Sequence, residues 1–350
     1  MKLRGKGITY DTGFLSARTS THEPFNPELV RHEMRIIHDD LHCNAVRVTG
    51  GYADRLKITA THAADAGLDV WLCPFVNGVT QAQLLDLLAD CAEHAEGLRQ
   101  NGAEVVMLTG SEVSLFVAGF LPGETLEQRL ALIADPLRLR PMIGDVRARI
   151  NEFLRTAVEV VRARFAGKVS YASLPFEGVD WTAFDIISTD AAYRTKATAP
   201  HFSDNIRAFV AQGRAKGKPV AITEFGCTTH RGAAEGGGDS LVEGAIVVWG
   251  DNGRPIRLNG DYIRDEDEQA TYLREVLAVF EAEGVDSAFV NTFVRYDLPH
   301  KSDPREDFDM ASFGVVKVLD GDGATAGRRY PGVPWEPKAS FDALADYYGR

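Results

Sequence analysis

Two glutamates stand where a carboxylate can do chemistry. Glu224 ends the apolar, β-branched run at residues 219–223, which is typical of a strand buried on both faces, and Glu112 follows the run at residues 104–109. A pair of carboxyl groups can break a glycosidic bond, since one protonates the leaving oxygen while the other, ionised, attacks the anomeric carbon. The structural alternatives are a strand-end ion pair for Glu224 and a helix N-terminal glutamate for Glu112.

Arg47 and Tyr193 are the side chains that we expect to support Glu224. Arg47 interrupts the apolar run at residues 45–49, and a buried arginine requires an anionic partner. Tyr193 follows the run at residues 184–190, from which its hydroxyl can donate a hydrogen bond to the same carboxylate. Both would stabilise an ionised Glu224. The alternatives are a structural ion pair for Arg47 and packing at the rim for Tyr193.

Short apolar runs alternate with longer amphipathic stretches along the chain. The predicted strands are residues 7–11, 45–49, 69–76, 104–109, 169–173, 184–190, 219–223 and 287–293. The predicted helices are residues 27–41, 58–66, 81–100, 145–165, 205–216, 265–283 and 340–348. Because eight such units close a barrel without edges, we predict an α/β fold, a single (β/α)8 TIM barrel covering residues 1–350. A doubly wound sheet is the alternative, but no G-x-G-x-x-G motif follows the first strand.

Extended loops are expected after the fourth, seventh and eighth strands. They contain the insertion at residues 115–141, the glycine-rich run at 232–238 and the polar run at 300–309. In barrels of this kind the active site lies on the loops that follow the strands. The side chains expected on that face are Tyr10, Asp11, Arg47, Asn77, Glu112, Glu177, Asp190, Tyr193, Glu224, Asn291, Phe293 and Arg295.

Three short motifs resemble those of the large clan of retaining glycoside hydrolases built on (β/α)8 barrels. They are A-I-T-E-F-G at residues 221–226, G-S-E at 110–112 and N-A-V-R at 44–47. The resemblance implies that Glu224 is the nucleophile, that Glu112 is the acid/base, and that Arg47 supports the nucleophile. Tyr193 falls near that clan's tyrosine after the sixth strand. The chain also resembles uncharacterised actinobacterial proteins, some of which carry a phage-defence label.

Two departures from the clan's pattern concern the substrate. Ser111 stands where the clan usually has an asparagine that binds the sugar 2-hydroxyl, and its side chain is shorter. Phe293 and Tyr296 are the nearest equivalents of the tryptophan platform on the eighth strand, and Trp181 adds a further apolar surface. The predicted substrate contacts are therefore Arg47, Tyr193, Ser111, Asn291, Phe293, Tyr296, Glu177 and Trp181.

Composition excludes several classes of partner. The net charge is −12, from 50 acidic and 38 basic side chains, whereas nucleic acid or an anionic membrane requires a basic surface. No apolar segment resembles a signal peptide or a membrane span. The four cysteines are scattered, and Cys43, Cys73 and Cys227 lie in or beside apolar runs and are expected to be buried free thiols, so we predict a cytoplasmic protein. The nine histidines lack the spacing of a metal site.

The sequence thus predicts a cytoplasmic retaining glycosidase that acts on a small glycoside and requires no cofactor or metal. A second hypothesis, motivated by Ser111, uses the same carboxylates for a rearrangement, elimination or cyclisation without water. A third is a non-enzymatic binding or phage-defence protein on a degenerate barrel. The sugar, the linkage, the anomeric configuration and the oligomeric state have no signature in the sequence.

Overall fold

A computed structural model describes residues 2–16, 19–236, 244–320 and 329–350. Eight parallel strands form a closed barrel in which each strand pairs with the next and the eighth pairs with the first. The strands are β1 Gly5–Asp11, β2 Ala45–Gly50, β3 Asp69–Pro74, β4 Val105–Ser111, β5 Lys168–Ser173, β6 Ile187–Thr189, β7 Val220–Phe225 and β8 Ser287–Val290. The (β/α)8 barrel predicted from the alternating runs is confirmed.

Helices surround the barrel in all but one of the connections between strands. They are α1 Pro27–Asp39, α2 Ala53–Asp65, α3 Gln81–Gln100, α4 Val113–Phe116, α5 Leu126–Ile133, α6 Pro136–Leu139, α7 Ile143–Arg162, α8 Phe202–Lys216, α9 Glu266–Glu283 and α10 Ala339–Tyr348. The chain between β5 and β6 has two 3-10 turns instead, Pro175–Glu177 and Trp181–Ala183. Strand β6 is also shorter than the predicted run at 184–190, because its regular pairing with β5 and β7 is confined to Ile187–Thr189.

Local sequence signals explain where the outer helices begin. The Asn26 side chain accepts hydrogen bonds from the first turn of α1, and Pro27 occupies the first helical position, where its missing N–H costs nothing. Helix α3 begins with a capping box in which Thr80 and Gln83 exchange side-chain-to-backbone hydrogen bonds. These caps fix where α1 and α3 begin, and both helices pack on the outside of the barrel between β1 and β4.

The barrel interior is a small apolar layer beneath a polar mouth. The buried residues of that layer are Ala45, Trp71, Cys73, Val106, Leu108, Ala172, Ile186, Ala221 and Phe289. Arg47 lies two residues after Ala45 on β2, and alternation along a strand keeps both side chains on the inner face. The layer therefore forms the floor of the site, and the polar residues nearer the carboxyl ends of the strands lie above it.

Long excursions follow β4, β7 and β8, as predicted. The excursion after β7 carries the hairpin Val247–Trp249/Pro255–Leu258, and the one after β8 carries Val316–Val318/Trp335–Pro337. Arg264 joins them, since its guanidinium donates hydrogen bonds to Asp307 and Asp309. Part of the predicted glycine-rich run, residues 237–238, lies outside the described residues. Within the described ranges, no helix combines the length and apolar composition that crossing a bilayer requires.

Candidate active site

Glu224 lies at the carboxyl end of β7, and several donors surround its carboxylate. Arg47 Nη1 donates to Oε2 at 3.3 Å, and Asn291 Nδ2 donates to Oε1 at 3.1 Å. The Tyr193 hydroxyl also donates to Oε1. The side chain is 17% exposed, so a ligand in the mouth can reach it. Hydrogen bonds to the charged form and a nearby guanidinium both stabilise an ionised carboxylate.

Arg47 is fully buried inside the barrel and is shared between two carboxylates. Besides Glu224, its Nη2 donates to Asp190 Oδ2 at 3.1 Å, and its Nη1 donates to the Thr223 carbonyl oxygen at 3.1 Å. Burial lowers the pKa of a guanidinium, but the charges of Asp190 and Glu224 outweigh it and raise the pKa of Arg47 above its usual value. The guanidinium of Arg47 is therefore a permanent positive charge that lies between Asp190, after β6, and Glu224, on β7.

Glu112 directly follows β4 in the left-handed backbone region, with φ 46° and ψ 43°. Its N–H donates to the Ala172 carbonyl oxygen at 2.9 Å, which ties it to β5, and its side chain makes no capping hydrogen bond to helix α4. Burial and, after it, the negative charges of Asp190, Glu224 and Glu177 raise the pKa of Glu112 well above the usual carboxyl range. Its surroundings thus favour the protonated form of the Glu112 carboxyl group.

Ser111 and Asp190 form a pair at the ends of β4 and β6. The Ser111 hydroxyl donates to Asp190 Oδ2 at 2.5 Å, and both side chains are buried. The Ser111 hydroxyl proton is therefore committed to Asp190 and not directed at the mouth. Asp190 was one of many loop carboxylates in the sequence, and no short motif indicated that it would connect Arg47 to Ser111.

Glu177 is fully buried behind Glu112. Its carboxylate accepts hydrogen bonds from the Tyr171 hydroxyl at 2.9 Å and from the backbone N–H groups of Leu174 at 2.9 Å and Ser114 at 3.2 Å. Burial raises the pKa of Glu177 to about 7, although these donors oppose the shift. Its oxygens are occupied by protein groups, so it contacts the residues around Glu112 and not the open mouth.

Gly226 allows β7 and β8 to approach closely enough for Asn291 to reach Glu224. A Cβ atom at position 226 would lie 2.5 Å from the Asn291 carbonyl oxygen, which is closer than real Cβ atoms come. The Asn291 N–H donates to the Phe225 carbonyl oxygen at 2.8 Å. The glycine after Glu-Phe is therefore explained by packing beside the candidate nucleophile.

Phe293 offers no face to the mouth, and the hydroxyl of Tyr296 is engaged by another side chain. Phe293 is fully buried and packs against Trp335, with ring centroids 5.4 Å apart. The Tyr296 hydroxyl donates to Glu33 of α1, a helix outside the barrel. Strand β8 ends at Val290, so the predicted strand at residues 287–293 does not extend to Phe293.

Trp181 also lies away from the mouth. It is buried against Phe184, with ring centroids 5.4 Å apart. Its carbonyl oxygen accepts a hydrogen bond from Lys218, the residue two positions before β7 begins. The chain between β5 and β6 has therefore descended toward the amino-terminal end of the barrel by Trp181, and the side chain offers no surface to a ligand above Glu224.

The structure thus brings together Glu224, Arg47, Tyr193 and Asn291, with Glu112 and Ser111 across the mouth. Among the described residues, no group of three or more histidine, cysteine or acidic side chains is arranged to hold a metal ion. A carboxyl group whose ionised form is stabilised and a second whose protonated form is favoured can together carry out a displacement assisted by a general acid.

No model of a known protein family matches the sequence, and no curated protein is detectably similar to it. Solved structures do share the fold. A β-1,4-mannanase of family GH113 superposes with a TM-score of 0.59 at 18% identity, covering 100% of this chain and 99% of the mannanase. The GH113 β-mannanase of Alicyclobacillus acidocaldarius gives 0.58 at 17% identity, covering 99% of this chain and 97% of that one.

A larger enzyme contains the same fold as a part. The β-glucuronidase of Parabacteroides merdae superposes with a TM-score of 0.54 at 14% identity, covering 99% of this chain but only 36% of that one. At such low identities these structures show a shared architecture and leave the chemistry open. What they establish is that the chain folds as a (β/α)8 barrel of the kind found in glycoside hydrolases.

Proposed function

We propose that the protein hydrolyses a small glycoside with retention of anomeric configuration. Glu224 is the nucleophile, and Glu112 is the general acid and then the general base. The observation that carries the proposal is the contrast between the two carboxyl groups. Arg47, Tyr193 and Asn291 donate hydrogen bonds to Glu224 and so stabilise its anion, whereas burial and neighbouring negative charges raise the pKa of Glu112 and favour its protonated form.

In the first step a Glu224 oxygen attacks the anomeric carbon, and the bond from that carbon to the leaving oxygen breaks. Glu112 donates its proton to the leaving oxygen, so the aglycone departs as an alcohol and the sugar becomes an ester of Glu224. In the second step water attacks the same carbon and gives a proton to the Glu112 carboxylate. The ester bond breaks, and Glu224 returns as an anion beside Arg47.

The supporting residues act on different parts of this cycle. Arg47 stabilises the charge on Glu224 before attack and when the carboxylate is released. The Tyr193 hydroxyl and the Asn291 amide both reach Oε1, while Arg47 reaches Oε2, so the carboxylate is fixed in orientation. A nucleophile held in one orientation reacts without first losing rotational freedom.

The substrate we propose is a small β-glycoside, and mannosides are tested first. The GH113 structures that superpose over the whole chain are described as β-mannanases, and the larger enzyme as a β-glucuronidase. Because the Ser111 hydroxyl donates to Asp190, its proton does not serve the 2-hydroxyl in this arrangement. The test panel therefore includes aryl β-mannosides, glucosides, glucuronides, xylosides and their 2-deoxy forms.

The decisive experiment measures hydrolysis of this panel by the wild-type protein and by Glu224→Gln. We expect release of the aryl alcohol by the wild type alone, with NMR of the first-formed sugar showing the configuration of the substrate. A 2-deoxy-2-fluoro glycosyl fluoride should label Glu224, which peptide mass spectrometry detects. Labelling of a different residue, or a product of inverted configuration, would contradict the assignment.

A protein that is silent across the panel while correctly folded would overturn hydrolysis and favour the second hypothesis. The occupied Ser111 hydroxyl is the observation behind that alternative, in which Glu112 and Glu224 move protons without admitting water. Incubation with the same sugars in 18O-labelled water separates the two, since a rearrangement or elimination incorporates no label from the solvent.

A further inference from the structure

We propose that Glu177 and Tyr171 are positioning residues that set the direction in which Glu112 presents its carboxyl group. The inference rests on the proposed function in so far as Glu112 is the acid/base. It gives Glu177 a different role from a substrate contact. Neither residue touches the mouth, and both act through the backbone that follows Glu112.

The contacts form one chain from Glu177 to the residues after Glu112. The Tyr171 hydroxyl donates to Glu177 and accepts a hydrogen bond from the Val113 N–H at 2.9 Å. The Glu177 carboxylate accepts the next N–H, that of Ser114, at 3.2 Å. Consecutive N–H groups at the start of α4 are therefore bound by one buried pair of side chains.

Those N–H groups need outside partners for a general reason. The first N–H groups of a helix have no acceptor within it, and a residue that caps the helix often supplies one. Glu112 occupies the capping position, but its side chain makes no such bond. Glu177 and Tyr171 satisfy the donors instead, which leaves the Glu112 carboxyl available for the mouth.

The backbone of Glu112 also requires support. A residue other than glycine in the left-handed region is uncommon and is retained only where surrounding contacts impose it. On one side the Glu112 N–H is fixed by the Ala172 carbonyl oxygen, and on the other Val113 and Ser114 are held by the pair. The direction of the Glu112 side chain is thus determined from both sides.

The test compares Tyr171→Phe and Glu177→Gln with Tyr348→Phe as a matched control. Tyr348 is also buried, and its hydroxyl donates to the Gly7 carbonyl oxygen at 3.2 Å, in the first half of β1. Each protein is assayed by kcat/KM on the phenyl and the 2,4-dinitrophenyl glycoside of the same sugar. The dinitrophenolate leaves without a proton, so only the phenyl substrate depends on the position of the acid.

We expect Tyr171→Phe and Glu177→Gln to reduce kcat/KM for the phenyl glycoside by about 10²-fold, the usual cost of displacing a catalytic group by about 1 Å. The dinitrophenyl glycoside should be affected far less, and Tyr348→Phe should affect neither. Equal losses on both substrates would show that the pair only stabilises the fold and would overturn the inference.

Two readouts do not depend on turnover. Amide hydrogen exchange at Val113 should accelerate in Tyr171→Phe and not in Tyr348→Phe.

Carbon-13 NMR of labelled glutamate, with Glu112→Gln for assignment, should give a lower pKa for Glu112 in Glu177→Gln. The charged groups that affect Glu112 are Asp190 on the β6 side, Glu224 on β7, Arg47 on β2 and Glu177 after β5. Removing one of the negative charges must favour ionisation.

These readouts separate the two possible failures. If the wild type hydrolyses no glycoside but both spectroscopic changes occur, the proposed reaction is wrong and the positioning of Glu112 stands. If the wild type is active but neither exchange at Val113 nor the titration of Glu112 changes, the positioning role is wrong and the proposed reaction stands.

Discussion

Glu224 and Glu112 are the same residue type on opposite sides of one barrel mouth, but their surroundings differ. Glu224 accepts hydrogen bonds from a guanidinium, a phenol and an amide. Glu112 is affected by three other carboxyl groups, those of Asp190, Glu224 and Glu177, and its side chain makes no capping bond. The Glu224 side of the mouth therefore supplies positive charge and donors, whereas the Glu112 side supplies negative charge.

The difference shows how environment divides two roles between identical side chains. Donors and a positive charge stabilise the ionised form of a carboxyl group, whereas burial and negative neighbours stabilise the protonated form. Asp190 links both sides, because the oxygen that pairs with Arg47 also accepts the Ser111 hydroxyl. One connected network of charges thus favours the ionised form of Glu224 and the protonated form of Glu112.

The largest expected effect is the loss of activity in variants of the two glutamates, which should differ in the substrates that they still hydrolyse. Glu112→Gln should lower kcat/KM for a phenyl glycoside by about 10²–10⁴-fold, the usual contribution of a general acid. It should retain much of the rate on the dinitrophenyl glycoside, whereas Glu224→Gln should lose both. Kinetic assays on the two substrates measure this contrast directly.

Azide provides a further check on that contrast. It attacks a glycosyl ester without a general base, so it should restore turnover of the dinitrophenyl glycoside by Glu112→Ala and yield a glycosyl azide of unchanged configuration. The result that would contradict the assignment is rescue of Glu224→Ala with retention, since that variant forms no ester.

Removal of Arg47 tests whether the Glu224 side depends on its buried charge. Arg47→Met should lower the free energy of unfolding by about 3–5 kcal/mol, because Asp190 would remain buried without its cationic partner and with only the Ser111 hydroxyl as donor. Urea denaturation measures this loss. Adding Asp190→Asn should recover part of it.

The matched control for that experiment is Arg31→Met, which breaks the exposed ion pair with Glu28 on α1. Exposed pairs contribute less than about 1 kcal/mol, so this variant should unfold nearly as the wild type does. If Arg47→Met were no worse than Arg31→Met, the shared arginine would not be what neutralises the Glu224 side.

The Glu112 side should make stability depend on pH. The pKa of Glu177 rises from the usual 4.5 to about 7 in the folded protein because the group is buried. The folded state therefore binds this proton more tightly than the unfolded chain does, and the stability that the proton confers is lost as pH rises through that interval. The expected loss is about 3 kcal/mol between the two values.

Denaturation profiles between pH 4 and 8 test this in Glu177→Gln, which should show a flatter dependence than the wild type. Glu93→Gln is the control, since Glu93 lies exposed on α3 and should leave the profile unchanged. A Glu177→Gln profile parallel to that of the wild type would mean that Glu177 does not change its protonation in this range.

The Glu224 side was largely predictable from sequence, and the reason is regular strand geometry. Arg47 and Glu224 stand in apolar strand runs where a charge is conspicuous, and Asn291 comes directly after β8. The closed barrel then brings the ends of distant strands to one mouth. Pattern and topology together were enough to propose that Arg47 supports Glu224, whereas Asn291 was predicted only as a substrate contact.

The Glu112 side was not predictable to the same degree, because it depends on irregular backbone. Nothing in the sequence indicates that Tyr171 bonds to Glu177, or that both serve the N–H groups after Glu112. Trp181 was wrongly expected at the mouth because the descent of the β5–β6 connection has no sequence signature. Phe293 was wrongly placed there since β8 ends three residues before it.

The smallest expected effect comes from Gly226→Ala, which tests how closely the Glu224 side is packed. The new methyl group would lie 2.5 Å from the Asn291 carbonyl oxygen, so β8 must shift. We expect a loss of about 1–3 kcal/mol in unfolding free energy, as for other overpacked sites. Because the shift also moves the Asn291 amide away from Glu224, kcat/KM should fall equally for the phenyl and dinitrophenyl glycosides.

Gly97→Ala is the matched control, since Gly97 lies in α3 with open space around its Cβ position. Alanine is the better helix former, so that variant should gain about 0.5–1 kcal/mol and keep its activity. An effect of Gly226→Ala confined to the phenyl glycoside would mean that the shift disturbs the acid and not the nucleophile. A shift of β8 would then move Glu112 as well. The two glutamates would differ in their electrostatic surroundings and not in how independently their backbones are held.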